Sequence, residues 1–172
     1  MKKKGCNQYD DDLTKMIDND LKKGEKREIA IMESRLYRKS KRRYGLDFLT
    51  SPDKAALFGK KLFKDYYDRE RIYVVGITAK SEPVAVQLVS IGTMDACLVD
   101  LRCIFRFAIL SGAHSILLFH NHLSYDTSPS KEDLLITKRI RDAGDLMGII
   151  LRDHIIVGGE NYYSMREHGE LQ

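Results

Sequence analysis

Two histidines at the end of a short apolar segment constrain the local fold of this chain more than any other feature. Residues 115–119 read Ser-Ile-Leu-Leu-Phe, a pattern typical of a buried strand. His120 and His122 follow this segment, and in extended geometry side chains two residues apart point to the same face of a sheet. We therefore expect this strand end to present two imidazoles on one surface.

A loop and a helix start follow the histidine pair. Residues 126–129 are Asp-Thr-Ser-Pro, which favours a turn, and Ser130 stands at the N-cap position of a helix whose first turn contains Asp133. If the loop folds back, Asp133 comes to lie beside the strand end, close to Ser130. Two imidazoles and a carboxylate suit zinc and leave a fourth position open for water, as in catalytic sites. The alternative is an ordinary capping box beside a surface histidine pair.

Further segments extend the pattern from residue 70 to the C-terminal region. Together with His-x-His and Ser-x-x-Asp, they resemble the bacterial RadC branch of the JAMM (MPN-type) metalloprotease superfamily. The resemblance implies an α/β fold, a mixed β-sheet flanked by helices, of the cytidine-deaminase-like type. The segments that support it are 70–75, 90–93, 120–122, 129–133, 143–149 and 153–158.

The resemblance also implies a role for each site residue. His120, His122 and Asp133 would hold the zinc ion. Glu70 would be the general base that accepts a proton from the catalytic water, and Ser130 would help to stabilise the oxyanion. Glu70 precedes a β-branched and aromatic stretch that is typical of a strand. A glutamate at such a position is commonly a solvated charge, which is the alternative interpretation.

Other residues compete for these roles or depart from the family pattern. Glu82 is a second candidate for the base, although Pro83 beside it favours a turn between two strands. Leu123 stands where a proline usually follows the second histidine, and Tyr125 where a glycine is usual. Tyr125 would be strained if the loop requires a positive φ. We interpret His154 as a hydrogen-bonded structural histidine.

The leading functional hypothesis is a zinc-dependent hydrolase that cleaves a peptide or isopeptide bond in a peptide or protein substrate. Two alternatives belong to other classes: a DNA-associated accessory protein without peptidase turnover, and a metal-dependent nuclease. The segment from Arg35 to Arg43 is strongly basic, and residues 1–69 carry 19 Lys and Arg against 12 Asp and Glu. This segment either contacts nucleic-acid phosphates or is a solvated extension.

We predict two parts of the chain: a basic, partly flexible N-terminal extension at 1–49, and a domain at 50–172 that the resemblance implies is of the JAMM/MPN type. Within the domain we expect helices at 50–67, 101–112 and 131–147. Besides the strand before His120, we expect strands at 71–78, 83–91, 149–157 and 162–165. Two more are expected near 29–32 and between 93 and 101.

Composition also bears on the compartment. No apolar run reaches the ~20 residues needed to span a bilayer, and the first residues lack the apolar region of a secretory signal. The three cysteines, Cys6, Cys97 and Cys103, have no zinc-like spacing and fit a reducing environment. We therefore expect a cytoplasmic protein without a membrane partner.

Overall fold

The structure, a computed structural model, describes residues 49–66, 68–92 and 99–171. These residues form a mixed sheet with helices packed on both faces. The elements in chain order are α1 (Pro52–Phe63), β1 (Arg71–Ile77), β2 (Pro83–Ile91), α2 (Leu101–Ser111), β3 (Ser115–Asn121), α3 (Lys131–Met147), β4 (Ile150–Gly158) and β5 (Asn161–Ser164).

The sheet has the strand order β2-β1-β3-β4-β5. β1 is antiparallel to both β2 and β3, while β3 and β4 are parallel and are joined by α3 as a crossover helix. β5 closes the sheet as an antiparallel hairpin with β4. The expected α/β architecture, a mixed sheet flanked by helices, is confirmed.

Side chains along β3 alternate between two apolar layers. Leu117 and Phe119 pack in the layer that contains α1, whereas Ile116 and Leu118 pack in the layer that contains α2 and α3. Every residue of β3 is buried, which explains why the segment reads as a continuous apolar run. The alternation determines which face each residue at the end of β3 meets.

Most expected element boundaries agree with the structure to within two residues. The exception is α1, which ends at Phe63 instead of near residue 67. Leu62 and Phe63 are the last residues of its buried face, and residues 64–66 are exposed, so packing does not stabilise a further helical turn. α3 ends at Met147, and Gly148, which adopts φ 69°, caps the helix.

Three expectations lie outside the described residues: the strand near 29–32, most of the strand between 93 and 101, and the basic segment from Arg35 to Arg43. Nucleic-acid binding by that segment stays a prediction from sequence. Among the helices that the structure describes, none combines the length and apolar character needed to cross a membrane.

Candidate metal centre

The end of β3 carries the histidine pair. His120 pairs with Ile72 of β1 on one side and with Ile156 of β4 on the other, and only 3% of its surface is exposed. The backbone N–H of His122 donates to the carbonyl of Val157 at 3.0 Å, so pairing with β4 continues past the end of β3. The two imidazole centroids lie 4.8 Å apart, as expected for side chains two residues apart on a strand.

The first turn of α3 brings a carboxylate to this pair. Ser130 and Asp133 form a capping box, in which the serine backbone N–H and hydroxyl donate to Asp133 Oδ2 at 2.9 and 2.6 Å. Asp133 Oδ1 lies 3.1 Å from His120 Nδ1, and Asp133 Oδ2 lies 3.4 Å from His122 Nε2. One carboxylate therefore both starts the helix and contacts both imidazoles.

Glu70 reaches the same site from the entrance of β1. Its Oε2 lies 3.5 Å from His120 Nε2, because β1 runs antiparallel to β3 and therefore begins where β3 ends. Glu82 lies at the opposite end of β1, where its carboxylate accepts a hydrogen bond from the Thr78 hydroxyl. Of the two glutamates considered for the base, only Glu70 is at the site.

Two carboxylates accompany the histidine pair, and the structure brings together all five residues singled out from the sequence. Glu70, His120 and His122 each offer one donor atom within 4.8 Å of the other two, so they form a group that could hold a metal ion. The ligand set expected from the resemblance shares the two histidines but contains Asp133 in place of Glu70.

The loop between the ligands determines the tautomer of neutral His122. The carbonyl of Asp126 can only accept a hydrogen bond, so His122 Nδ1, 2.7 Å away, must donate. The proton on Nδ1 leaves a lone pair on Nε2 in the neutral ring, and that is the nitrogen that faces Asp133. Sequence reasoning missed this contact, because a backbone carbonyl carries no residue-specific signal.

The carboxylates and imidazoles of the site shift one another's pKa values strongly. Burial by itself would lower the pKa of His120, but the adjacent carboxylates of Asp133 and Glu70 outweigh it and raise the pKa to about 9. Burial would raise the pKa of Asp133, yet contacts with His120, His122 and Ser130 bring it far below its usual range. Without a metal, His120 is therefore an imidazolium that forms an ion pair with the Asp133 carboxylate.

This arrangement predicts how the stability of the metal-free protein depends on pH. The pKa of His120 is raised from 6.5 to about 9, so its stabilisation is complete below pH 6.5 and is lost as the pH rises through 9. We expect the free energy of unfolding to fall by up to about 3 kcal/mol over that interval. Urea unfolding in the presence of a chelator measures it. His120→Asn is the control, and an equal decline in the variant would contradict the assignment.

A third histidine, His154, lies behind His120. His154 is fully buried, and its ring centroid is 6.2 Å from that of His120. The Thr137 hydroxyl donates to the carbonyl of Asp133 at 2.6 Å. Its only proton is thereby used, so His154 Nδ1, which lies 2.7 Å from Thr137 Oγ1, donates to that hydroxyl oxygen. Burial first, and then the charge of His120, lowers the pKa of His154 to about 3. The interpretation of His154 as a hydrogen-bonded structural histidine agrees with this geometry.

The loop between His122 and Ser130 does contain a positive φ, at the residue that the sequence analysis questioned. Tyr125 adopts φ 60°, a conformation that is unfavourable for a bulky side chain. Two glycines support the loop from β4 and the turn after it: a Cβ on Gly158 would lie 2.5 Å from the carbonyl oxygen of Tyr125, and one on Gly159 would lie 2.9 Å from its ring. The loop therefore packs against backbone that has no side chains.

Gly158→Ala should displace this loop and weaken metal binding. We expect a loss of roughly 10–100-fold in zinc affinity, because the bond from His122 Nδ1 to the carbonyl of Asp126 depends on the loop position. Competition with a chelator measures it. Gly112→Ala is the matched control, since Gly112 has φ 64° with no neighbour near its Cβ position and lies at the end of α2. Equal zinc affinities in the two variants would contradict the prediction.

An open cleft gives access to the site. It has a volume of about 620 Å³, and one wall is formed by the exposed start of α3. Apolar side chains and charged groups both line it. Its principal residues are Glu70, Ile72, Val99, His120, His122, Ser130, Glu132, Asp133, Leu135, Ile136 and Arg139.

The fold and the site together define a JAB-type (JAMM/MPN) domain with a candidate metal centre. Residues 49–170 match the family of RadC-like JAB domains, which is more than half of the chain. The chain therefore belongs to the RadC-like JAB family, and the resemblance inferred from its motifs is confirmed.

Bacterial proteins named UPF0758 are similar to this chain. The one from Thermotoga maritima is 42% identical over 106 residues, which cover 62% of this chain and 48% of that protein. The one from Rubrobacter xylanophilus is 44% identical over 104 residues, covering 60% and 45%, respectively. A Listeria monocytogenes protein is 42% identical over 101 residues, covering 59% and 45%. The chain thus spans about half the length of the curated relatives it matches.

Proposed function

We propose that this protein is a zinc-dependent hydrolase that cleaves an amide bond in a peptide or protein substrate. The observation that carries the proposal is the Asp133 carboxylate, whose two oxygens lie 3.1 and 3.4 Å from nitrogens of His120 and His122. Two imidazoles and one carboxylate at the wall of an open cleft have the composition of a catalytic zinc site.

The donor set fits a metal ion. Both ring nitrogens of His120 are buried, and within the described residues neither makes a well-aligned hydrogen bond. A buried polar atom without such a bond is unfavourable, and a bound cation would satisfy one of these nitrogens. We assign His120, His122 and Asp133 as the residues that would hold zinc. Asp133 is preferred to Glu70 because it contacts both imidazoles and is 5% exposed.

The remaining polar residues divide the chemistry between them. When bound, zinc supplies a Lewis acid that polarises the substrate carbonyl and makes water more acidic. Glu70, whose side chain is 22% exposed, faces the cleft, where it would take a proton from water and return it to the leaving nitrogen. The Ser130 hydroxyl points to Asp133, so it would have to rotate to donate to an oxyanion.

The cleft walls favour an extended substrate that carries an apolar side chain. Ile72, Val99, Leu135 and Ile136 line the cleft beside the polar groups. Apolar contacts there would bind a peptide segment and displace water from around the scissile bond.

The test is a cleavage assay on a proteome-derived peptide library, in which new termini are identified by mass spectrometry. We expect a defined set of cleavages by the zinc-loaded protein, their loss after chelation and their return when zinc is restored. The double variant His120→Ala/His122→Ala is the control for contaminating peptidases. Cleavage by wild type no greater than by this variant would contradict the proposal.

The same preparations distinguish the alternatives. A metal-dependent nuclease predicts DNA cleavage that Asp133→Asn abolishes. A DNA-associated accessory protein predicts salt-dependent DNA binding that removal of residues 1–49 eliminates, without cleavage of peptides or DNA.

A further inference from the structure

The residue between the two histidines faces away from the metal centre. Asn121 is the last residue of β3, and alternation along the strand directs it to the layer of Leu117 and Phe119, opposite His120. It is fully buried. That face is where the chain returns from α1 to begin β1, so Asn121 meets the segment that carries Glu70.

The amide of Asn121 binds the backbone on both sides of Glu70. Its Oδ1 accepts a hydrogen bond from the N–H of Arg71 at 2.7 Å. Its Nδ2 donates to the carbonyl of Arg69 at 3.2 Å and to that of Tyr66 at 3.5 Å. Only one orientation of the amide satisfies all three, because the N–H can only donate and the carbonyls can only accept.

These contacts hold both peptide groups that flank the Cα atom of Glu70. A fourth hydrogen bond holds the second of these peptide groups, since the carbonyl of Glu70 accepts from the N–H of Gly92 at 2.9 Å. The backbone from which the Glu70 carboxylate extends is therefore anchored to β3, the strand that also carries His120. The buried Asn121 side chain therefore helps to fix the distance between Glu70 and His120.

The chemistry requires an amide at this position. Aspartate could accept from Arg71 but could not donate to the two carbonyls, and it would bury a charge. Leucine has a similar size but leaves all three backbone groups without a partner. Asparagine is the shortest side chain that both accepts and donates at separate atoms.

We propose that Asn121 is a positioning residue that sets the place of the Glu70 carboxylate relative to the metal ligands. This inference rests on the proposed function, in which Glu70 is the base. It assigns a role to the middle residue of His-x-His: the outer residues bind the metal, and the middle one holds the base from the opposite face of the same strand.

The anchoring is tested first in the metal-free protein by amide hydrogen exchange. In Asn121→Leu, we expect exchange of the Arg71 N–H to accelerate by about tenfold or more, because a hydrogen-bonded amide must open before it exchanges. Asn121→Asp keeps an oxygen that accepts from the Arg71 N–H, so it should accelerate exchange of this N–H less than Asn121→Leu does. Leu117→Ala, a destabilising change on the same face of β3, is the control. Equal acceleration of the Arg71 amide in Leu117→Ala and Asn121→Leu would overturn the anchoring.

The positioning is tested with cobalt(II) in place of zinc, which needs no substrate. The pH dependence of the cobalt visible absorption should shift in Glu70→Gln, because the charge next to His120 is removed. Asn121→Leu should shift the midpoint in the same direction, and adding it to Glu70→Gln should cause little further change. Leu117→Ala should keep the wild-type midpoint. If Asn121 acted only by stabilising the fold, Leu117→Ala would shift the midpoint as well.

The outcomes separate the two claims. A shift in Glu70→Gln with none in Asn121→Leu would overturn the positioning role alone. Independent, additive shifts would also overturn it, because Asn121 would then act on the ligands instead of on Glu70. No shift in Glu70→Gln, with cobalt bound, would contradict the role of Glu70 and with it this inference, while the exchange experiment would still report on the anchoring.

Discussion

Asp133→Asn is expected to abolish retention of zinc through purification. The substitution removes the negative charge that lies 3.1 and 3.4 Å from the two imidazoles, and a neutral amide is a poor zinc ligand. The loss in affinity should exceed the roughly 10–100-fold that follows when only an outer hydrogen-bond partner of a ligand is removed. Metal content and chelator competition measure it.

Asp133 also caps α3, so folding must be measured alongside metal binding. Replacing the carboxylate weakens the capping box and also removes the negative charge beside His120, so thermal unfolding of the metal-free variant should show a loss greater than the about 1 kcal/mol typical of a helix cap. Asp145→Asn is the matched control, since it makes the same substitution at an exposed position on the same helix. If Asp133→Asn kept zinc as tightly as Asp145→Asn, the ligands would instead be Glu70, His120 and His122.

Glu70→Gln is expected to have the second large effect, on turnover and not on metal content. Glutamine preserves the size of the side chain but cannot take a proton, so kcat should fall by about 10²–10⁴-fold while zinc affinity changes only a few-fold. The measurement is the cleavage rate of a peptide identified from the library, on preparations of known zinc content.

Glu82→Gln is the control for this variant, because Glu82 lies in the turn between β1 and β2, at the end of β1 that is remote from the site. It should retain the wild-type rate. Loss of zinc in Glu70→Gln, together with retention in Asp133→Asn, would reverse the roles of the two carboxylates. Equal cleavage by wild type and Glu70→Gln would remove Glu70 from the mechanism.

Local sequence patterns predicted the parts of the site that depend on local structure. The two-residue spacing of His120 and His122 and the N-cap at Ser130 each follow from the geometry of a single strand or helix. They indicated which side chains share a face and where α3 begins. The family resemblance favoured Glu70 over Glu82, and the local pattern added only that Pro83 favours a turn beside Glu82.

The choice between those glutamates depends on which end of β1 lies beside the end of β3. Antiparallel pairing of β1 with β3 decides it, and no local pattern encodes that pairing. The roles of Asn121 and Thr137 were missed for a similar reason, because their partners are backbone groups brought together by the fold. Strand alternation could have indicated that Asn121 faces the opposite layer, but not what it meets there.

The strand, loop and helix start that carry the proposed ligands form one short stretch of chain, from His120 to Asp133, whereas Glu70 belongs to a distant segment. A short loop with two histidines and a carboxylate can also bind zinc in the unfolded ensemble, since little chain entropy opposes its closure. Binding to unfolded molecules reduces the net stabilisation that a ligand confers on the native state. Zinc should therefore raise the unfolding temperature by less than its affinity for the native protein implies, and retained zinc alone does not establish that Glu70 is in place.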